Sequence, residues 1–270
     1  MTDLPEPPAP IAAPGVRPDT APLTAAPWSV QSALAFAGLA ILFNMAMSVG
    51  LRWAPVVGAV RSAVTSAARL TGLDRATLGV AATVGVMTVL YALLLVAPVL
   101  VARSRGVGFA EAVGLRKAAP SSAAGAVLGA VGLALGASAV YGWVVTGLGF
   151  EVPGGGQEIA RLYGTSPAGI VLIFVMVAVV APLAEEIVFR GVVFASLRDA
   201  WGEPWALAMS SFAFGIIHLQ PLQMVPTAVI GLVLARAFSR TRSLWPAVVA
   251  HGIYNGLVLA AGLALNAAAR

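Results

Sequence analysis

The sequence predicts an all-α fold, a polytopic membrane bundle of about seven transmembrane helices, and three observations carry that prediction. Only 10% of the 270 residues are charged and 59% are hydrophobic, whereas a soluble globular domain holds about 25% charged residues. The mean hydropathy is +0.92. The apolar residues fall into runs of the length that a hydrocarbon core of roughly 30 Å demands of a helix, about 20 residues. So little charge cannot cover a water-soluble surface of this size, and no soluble stretch is long enough to bury a core of its own.

The elements follow in order. Residues 1–28 read as a disordered Pro/Ala-rich tail, because Pro5, Pro7, Pro8, Pro10, Pro14, Pro18, Pro22 and Pro27 prevent regular hydrogen bonding. The tail is not a secretory signal: it is acidic and has no apolar segment behind a basic start. Spanning runs lie near 29–51, 78–102, 122–149 and 167–190, and shorter ones near 205–219, 222–239 and 244–266. The stretch 52–77, with Arg52, Arg61, Arg69 and Arg75, reads as an interfacial helix or half of a hairpin. In the third run, Gly125, Gly129, Gly132 and Gly136 put small residues on one side of a helix, which invites close helix packing. The chain thus divides into the tail, N-terminal transmembrane helices over 29–158 and a core over 159–266.

A net charge of +5 and a pI near 10.4 do not point to nucleic acid. The basic residues are scattered between apolar runs, as they are at membrane–water boundaries. With the N-terminus in the cytoplasm, inner segments hold Arg17, Arg103, Arg105, Arg116, Lys117, Arg190, Arg198, Arg236, Arg240 and Arg242. Outer segments hold Arg52, Arg61, Arg69, Arg75, Arg161 and Arg270. The balance favours a cytoplasmic N-terminus. The chain has no cysteine, which excludes a thiol nucleophile, disulfides and thiolate metal sites.

Ionisable groups inside spanning segments cost about 2.5–3.5 kcal/mol each on insertion scales, so by default they mark function. They fall in three places here. In Ala184-Glu185-Glu186-Ile187-Val188-Phe189-Arg190, Glu186 and Arg190 stand four apart and can pair along one helix face. Glu185 projects about 100° away with no local cation, a setting that suits a general acid or base. His218 closes Phe214-Gly215-Ile216-Ile217-His218, and His251 shares a face with Asn255. The bland alternatives are an ion-paired helix end for the acids and packing roles for the histidines. If the helix that bears the acids runs on to Asp199, Glu185 stands about 21 Å from Asp199 and His218 about 20 Å from Trp205. His251, roughly 12 Å from the Ser239–Ser243 turn, can then reach the same level.

At these residues the sequence resembles the type II CAAX prenyl protease and bacteriocin-processing (CPBP) family of intramembrane proteases. Its EExxxR, FxxxH and HxxxN hallmarks stand as Glu185-Glu186…Arg190, Phe214…His218 and His251…Asn255, over roughly residues 160–262. The resemblance implies a peptide-hydrolysing site in a helical cavity that opens toward the cytosol, and the Ala/Gly/Arg-rich, lysine-poor composition points to the inner membrane of a bacterium. It implies that Glu185 activates the attacking water and that His218 acts as acid, base or ligand. It further implies that His251 and Asn255 stabilise an oxyanion, while Glu186 and Arg190 orient the site. Two metal readings stay open: a catalytic zinc on Glu185, His218 and His251, or a metal-free glutamate-activated water. The partners implied are the lipid bilayer and a peptide or membrane-protein substrate. The rival outside enzymology is a membrane immunity or scaffold protein that retains the site. A proton-coupled transporter would show paired repeats with broken helices, and the sequence has none. HExxH and GxGD protease motifs are absent, and Gly136-Ala137-Ser138-Ala139 is a poor match to a rhomboid serine motif.

Overall fold

The computed structural model describes residues 26–50, 54–150, 159–160 and 166–269, without the side chains of 46–50 and 54–57. The fold is all-α, with no strand among the described residues. Its helices are α1 (Val30–Gly50), α2 (Ala54–Thr71), α3 (Arg75–Ser104), α4 (Phe109–Ala112) and α5 (Pro120–Gly147). They continue as α6 (Pro167–Trp201), α7 (Glu203–Ile216), α8 (Pro221–Thr241) and α9 (Leu244–Ala268). By length and composition α3, α5, α6, α8 and α9 can each cross a membrane. The other two expected spans correspond to α1, with its shorter apolar stretch Val30–Met45, and to the 14-residue α7. The 52–77 stretch is helical as α2 and packs against α3. This is an integral, polytopic helical membrane protein.

Local chemistry sets the helix limits. Asp74 caps α3 by accepting from the amide of Thr77 at 2.8 Å, and hydrogen bonding from the side chain and then the amide of Thr77 lowers the pKa of its exposed carboxyl. Ser166 caps α6 by accepting from the amide of Gly169 at 3.0 Å, with Pro167 in the first turn. Gly202, at φ +82°, separates α6 from α7, a left-handed position that suits glycine.

α6 is continuous but not uniform, and it widens to π-helix over Met176–Val180 and Ile187–Phe194. The cause of the first widening is Pro182, which has no N–H and crowds the preceding turn. The amide of Ala181 reaches back to Met176 O, five residues earlier. In that register the next carbonyl, Val177 O, faces Pro182 and has no backbone donor.

At one end of the bundle the α3–α5 connection, the α6–α7 turn and the α8–α9 turn meet. The amide of Leu244 donates to Gly114 O at 2.8 Å, Arg116 Nε donates to Arg242 O at 2.5 Å, and Arg236 pairs with Glu203. Arg103, Arg105, Arg116, Lys117, Arg198, Arg240 and Arg242 belong to the segments at this end. Burial and then the charges of Arg242 and Arg198 lower the pKa of Arg116, against an opposing effect of Glu111. At the other end the hydroxyls of Thr77 and Ser166 lie 2.7 Å apart and join α3 to the start of α6.

Of the tail expected over 1–28, residues 1–25 lie outside the described residues. Of the three that are described, Ala26 and Trp28 bond to α6. The amide of Ala26 donates to Asp199 Oδ2 at 2.7 Å, and buried Trp28 donates through Nε1 to Gly191 O at 2.9 Å.

The glycines divide differently from the sequence expectation. A Cβ at Gly125, Gly129, Gly132 or Gly136 would meet open space among the described residues, so none of them packs on this stripe, and Ala130 and Ala134 lie on the buried face of α5. Spacing tells that glycines share a face but not which face turns inward. The close approaches lie at Gly191 against Val113, Gly215 against Met224 and Ala228, and Gly252 against Ala178.

Candidate active site

The Glu185-Glu186…Arg190 motif lies on α6 where the second π-helical stretch begins, in the most buried part of the chain. Glu186 and Arg190 form the ion pair that their spacing predicted, at 2.8 Å, with side chains 0% and 1% exposed. Arg190 also donates from Nη2 to Gly231 O at 2.9 Å, and its guanidinium carbon lies 4.5 Å from the centre of the Phe214 ring. A buried guanidinium is tolerable only with such partners. Glu186 Oε1 accepts a second bond, from His251 Nδ1 at 2.9 Å. One carboxylate oxygen therefore ties α6 to α9.

Glu185 points away from that pair, as the helical geometry predicted, and faces a cavity. Its Oε1 accepts from the hydroxyl of Tyr91 on α3 at 2.8 Å. Its Oε2 stands 3.9 Å from His251 Nε2, too far for a direct hydrogen bond.

Both histidines have a settled orientation. His218 Nδ1 donates to Phe214 O at 3.0 Å and His251 Nδ1 donates to Glu186 Oε1, because a carbonyl and a carboxylate can only accept. In each ring Nε2 is left with its lone pair. The phenylalanine of the FxxxH motif is the hub between them: Phe214 is 1% exposed and meets Phe189, His218 and His251 edge-on. α7 is about 21 Å long, so His218, in the turn that follows it, lies short of the far membrane face. Irregular backbone at membrane depth is tolerated where it lines a cavity, and His218 does so.

Asn255 donates from Nδ2 to Val177 O at 3.1 Å. This supplies the donor that Pro182 denies to that carbonyl. Asn255 thus closes the defect in α6 while one face of its amide reaches the cavity.

The cavity measures about 390 Å³, within the roughly 300–1,000 Å³ of ordinary ligand sites. Glu185, His218, His251 and Asn255 line it; Glu186 and Arg190 stand behind. The structure therefore brings the six residues read from the sequence together, four at the cavity and two in its support. Sequence reasoning missed Tyr91, and also Ser138, Tyr141 and Tyr254. The Ser138 and Tyr254 hydroxyls lie 2.8 Å apart on the cavity wall, and Tyr141 donates to Leu222 O at 2.7 Å. No short-range signal marks them, since each depends on a contact between distant helices.

The two Nε2 lone pairs and the Glu185 carboxylate are donors of the kind zinc takes. Their spacing does not match: among the described residues no three His, Cys, Asp or Glu side chains gather closely enough to hold a metal ion.

Residues 167–257 match the family described as type II CAAX prenyl endopeptidase Rce1-like. A protein of Bacillus subtilis (strain 168), named "Putative membrane peptidase YdiL", is 30% identical over 88 residues. That alignment covers 33% of this chain and 36% of the relative, so the chain spans about a third of the length of the relative it matches. No solved structure matches. The matched stretch runs from the start of α6 into α9 and contains the six motif residues, while α1 to α5 lie outside it. Over α6 to α9, then, the chain is similar to the type II CAAX prenyl endopeptidase Rce1-like family and to a membrane peptidase of that kind.

Proposed function

We propose that this chain is an intramembrane endopeptidase that hydrolyses peptide bonds with a water activated by Glu185. The observation that carries the reading is the pair of unsatisfied acceptors facing each other across the cavity, Glu185 Oε2 and His251 Nε2 at 3.9 Å. A water between them can donate one hydrogen to each. Its oxygen lone pairs then point at whatever lies in the cavity, and the low-dielectric setting strengthens these interactions.

In the reaction the water oxygen bonds to the peptide carbonyl carbon as its proton passes to Glu185 Oε2. The C–N bond then breaks, and that proton goes on to the departing amine. Neutral His251 accepts the second hydrogen of the water at Nε2 and steadies it, while His218 holds an Nε2 acceptor at the cavity for a substrate N–H. The second amide hydrogen of Asn255 is the donor available to the carbonyl oxygen as it gains charge. Glu186 fixes the tautomer of His251, and Arg190 balances the charge of Glu186.

The lining supports an apolar peptide segment or membrane protein as substrate: Ile159, Val177, Leu222, Pro226, Ile230, Val258 and Leu259 make up much of the wall. The arginine-rich end supports a cytoplasmic placement of that face in an inner membrane, and the bond from Ala26 to Asp199 at that end supports a cytoplasmic N-terminal side.

The test is a quenched-fluorescent peptide library incubated with the purified full chain in vesicles made up in H₂¹⁸O. The expected products are new C-termini carrying one ¹⁸O. A chain that binds members of the library and cuts none is the non-hydrolytic scaffold instead.

A further inference from the structure

We propose that Tyr91 is a positioning residue for the reaction: its hydroxyl fixes the Glu185 carboxylate so that Oε2, and not Oε1, receives the proton of the attacking water. The inference rests on the hydrolase reading above and extends it to α3, a helix outside the stretch that matches the family.

Geometry carries the argument. A carboxylate on a two-carbon stem can swing, and either oxygen can face the cavity. Here Oε1 is occupied by the Tyr91 hydroxyl at 2.8 Å, which leaves Oε2 on the side of His251 Nε2. Glu185 has no cation on its own helix face, because Arg190 is committed to Glu186 and to Gly231 O. The tyrosine is itself held. Its ring lies 4.9 Å from that of Phe43 on α1, tilted by 46°, and it packs against both apolar clusters of the bundle. A phenol clamped by its ring brings its hydroxyl to one place. A positioned base contributes roughly 10²–10⁴-fold to a reaction, and a displacement of about 1 Å can cost a hundredfold. The donor that sets the position of the base therefore bears on the rate and not on substrate binding.

The experiment compares kcat, KM and thermal stability for wild type, Tyr91→Phe, Tyr91→Gln and Glu185→Gln on a peptide the full chain cleaves. Tyr91→Phe keeps the ring and its packing. It is expected to lower kcat by about 10- to 100-fold, with KM within about twofold and the melting temperature unchanged. Tyr91→Gln, which offers another donor, is expected to recover part of the rate lost in Tyr91→Phe. Tyr91→Phe with wild-type kcat overturns the inference, and so does a fall in kcat that tracks a fall in stability. The failure of the underlying reading looks different: Glu185→Gln then cleaves as fast as wild type.

Discussion

Glu186 Oε1 serves Arg190 on its own helix and His251 on α9, and both side chains depend on it for their place. Removing one member of a buried pair leaves a charge without compensation, at a cost of about 3–5 kcal/mol. Arg190→Ala is therefore expected to lower the melting temperature in detergent sharply, and a melting curve like that of wild type would contradict the buried-pair geometry. The spacing of Glu186 and Arg190 made their pairing legible in the sequence, because four residues on a helix bring two side chains together. Glu185 was legible as the acid without a local partner. Its actual partner was not, since Tyr91 lies 94 residues away on another helix. Spacing placed Asn255 beside His251, and its oxyanion role came from the family resemblance. Its bond to Val177 O follows from Pro182 and the π-helical register of α6, which periodicity does not reveal.

Helices were the most legible elements, because a bilayer imposes length and apolarity on each span. What the sequence could not supply was the facing of each helix. The glycines of α5 have the spacing of a packed stripe and meet open space, while Gly252, next to His251, sits against the carbonyl of Ala178. A Cβ at 252 would lie 2.2 Å from that oxygen, so Gly252→Ala must push α9 off α6 and carry His251 with it. Overpacking of this kind costs about 1–3 kcal/mol, and both stability and turnover are expected to fall. Gly129→Ala is expected to be neutral or to stabilise by up to about 1 kcal/mol, as at an unhindered helical site. Parallel melting curves of the two variants check the pair, and equal effects would contradict this assignment of helix faces.

For the molecule as a whole, the site is assembled from both halves of the chain. α6 to α9 bring the motifs, α3 brings Tyr91, and α5 brings Ser138 and Tyr141 to the cavity wall. The spacing of the three metal-type ligands leads to a further prediction, that turnover persists after exhaustive chelation and that purified protein carries no stoichiometric zinc. One zinc per chain, lost in His218→Ala/His251→Ala, would contradict it. The central claim, a glutamate-activated water, meets its most direct test in the rate of peptide cleavage by Glu185→Gln beside wild type, with melting curves of both. The account predicts a variant that stays folded and loses at least about 10²-fold in rate, the lower bound for a positioned base. A folded Glu185→Gln that cleaves at the wild-type rate would contradict it.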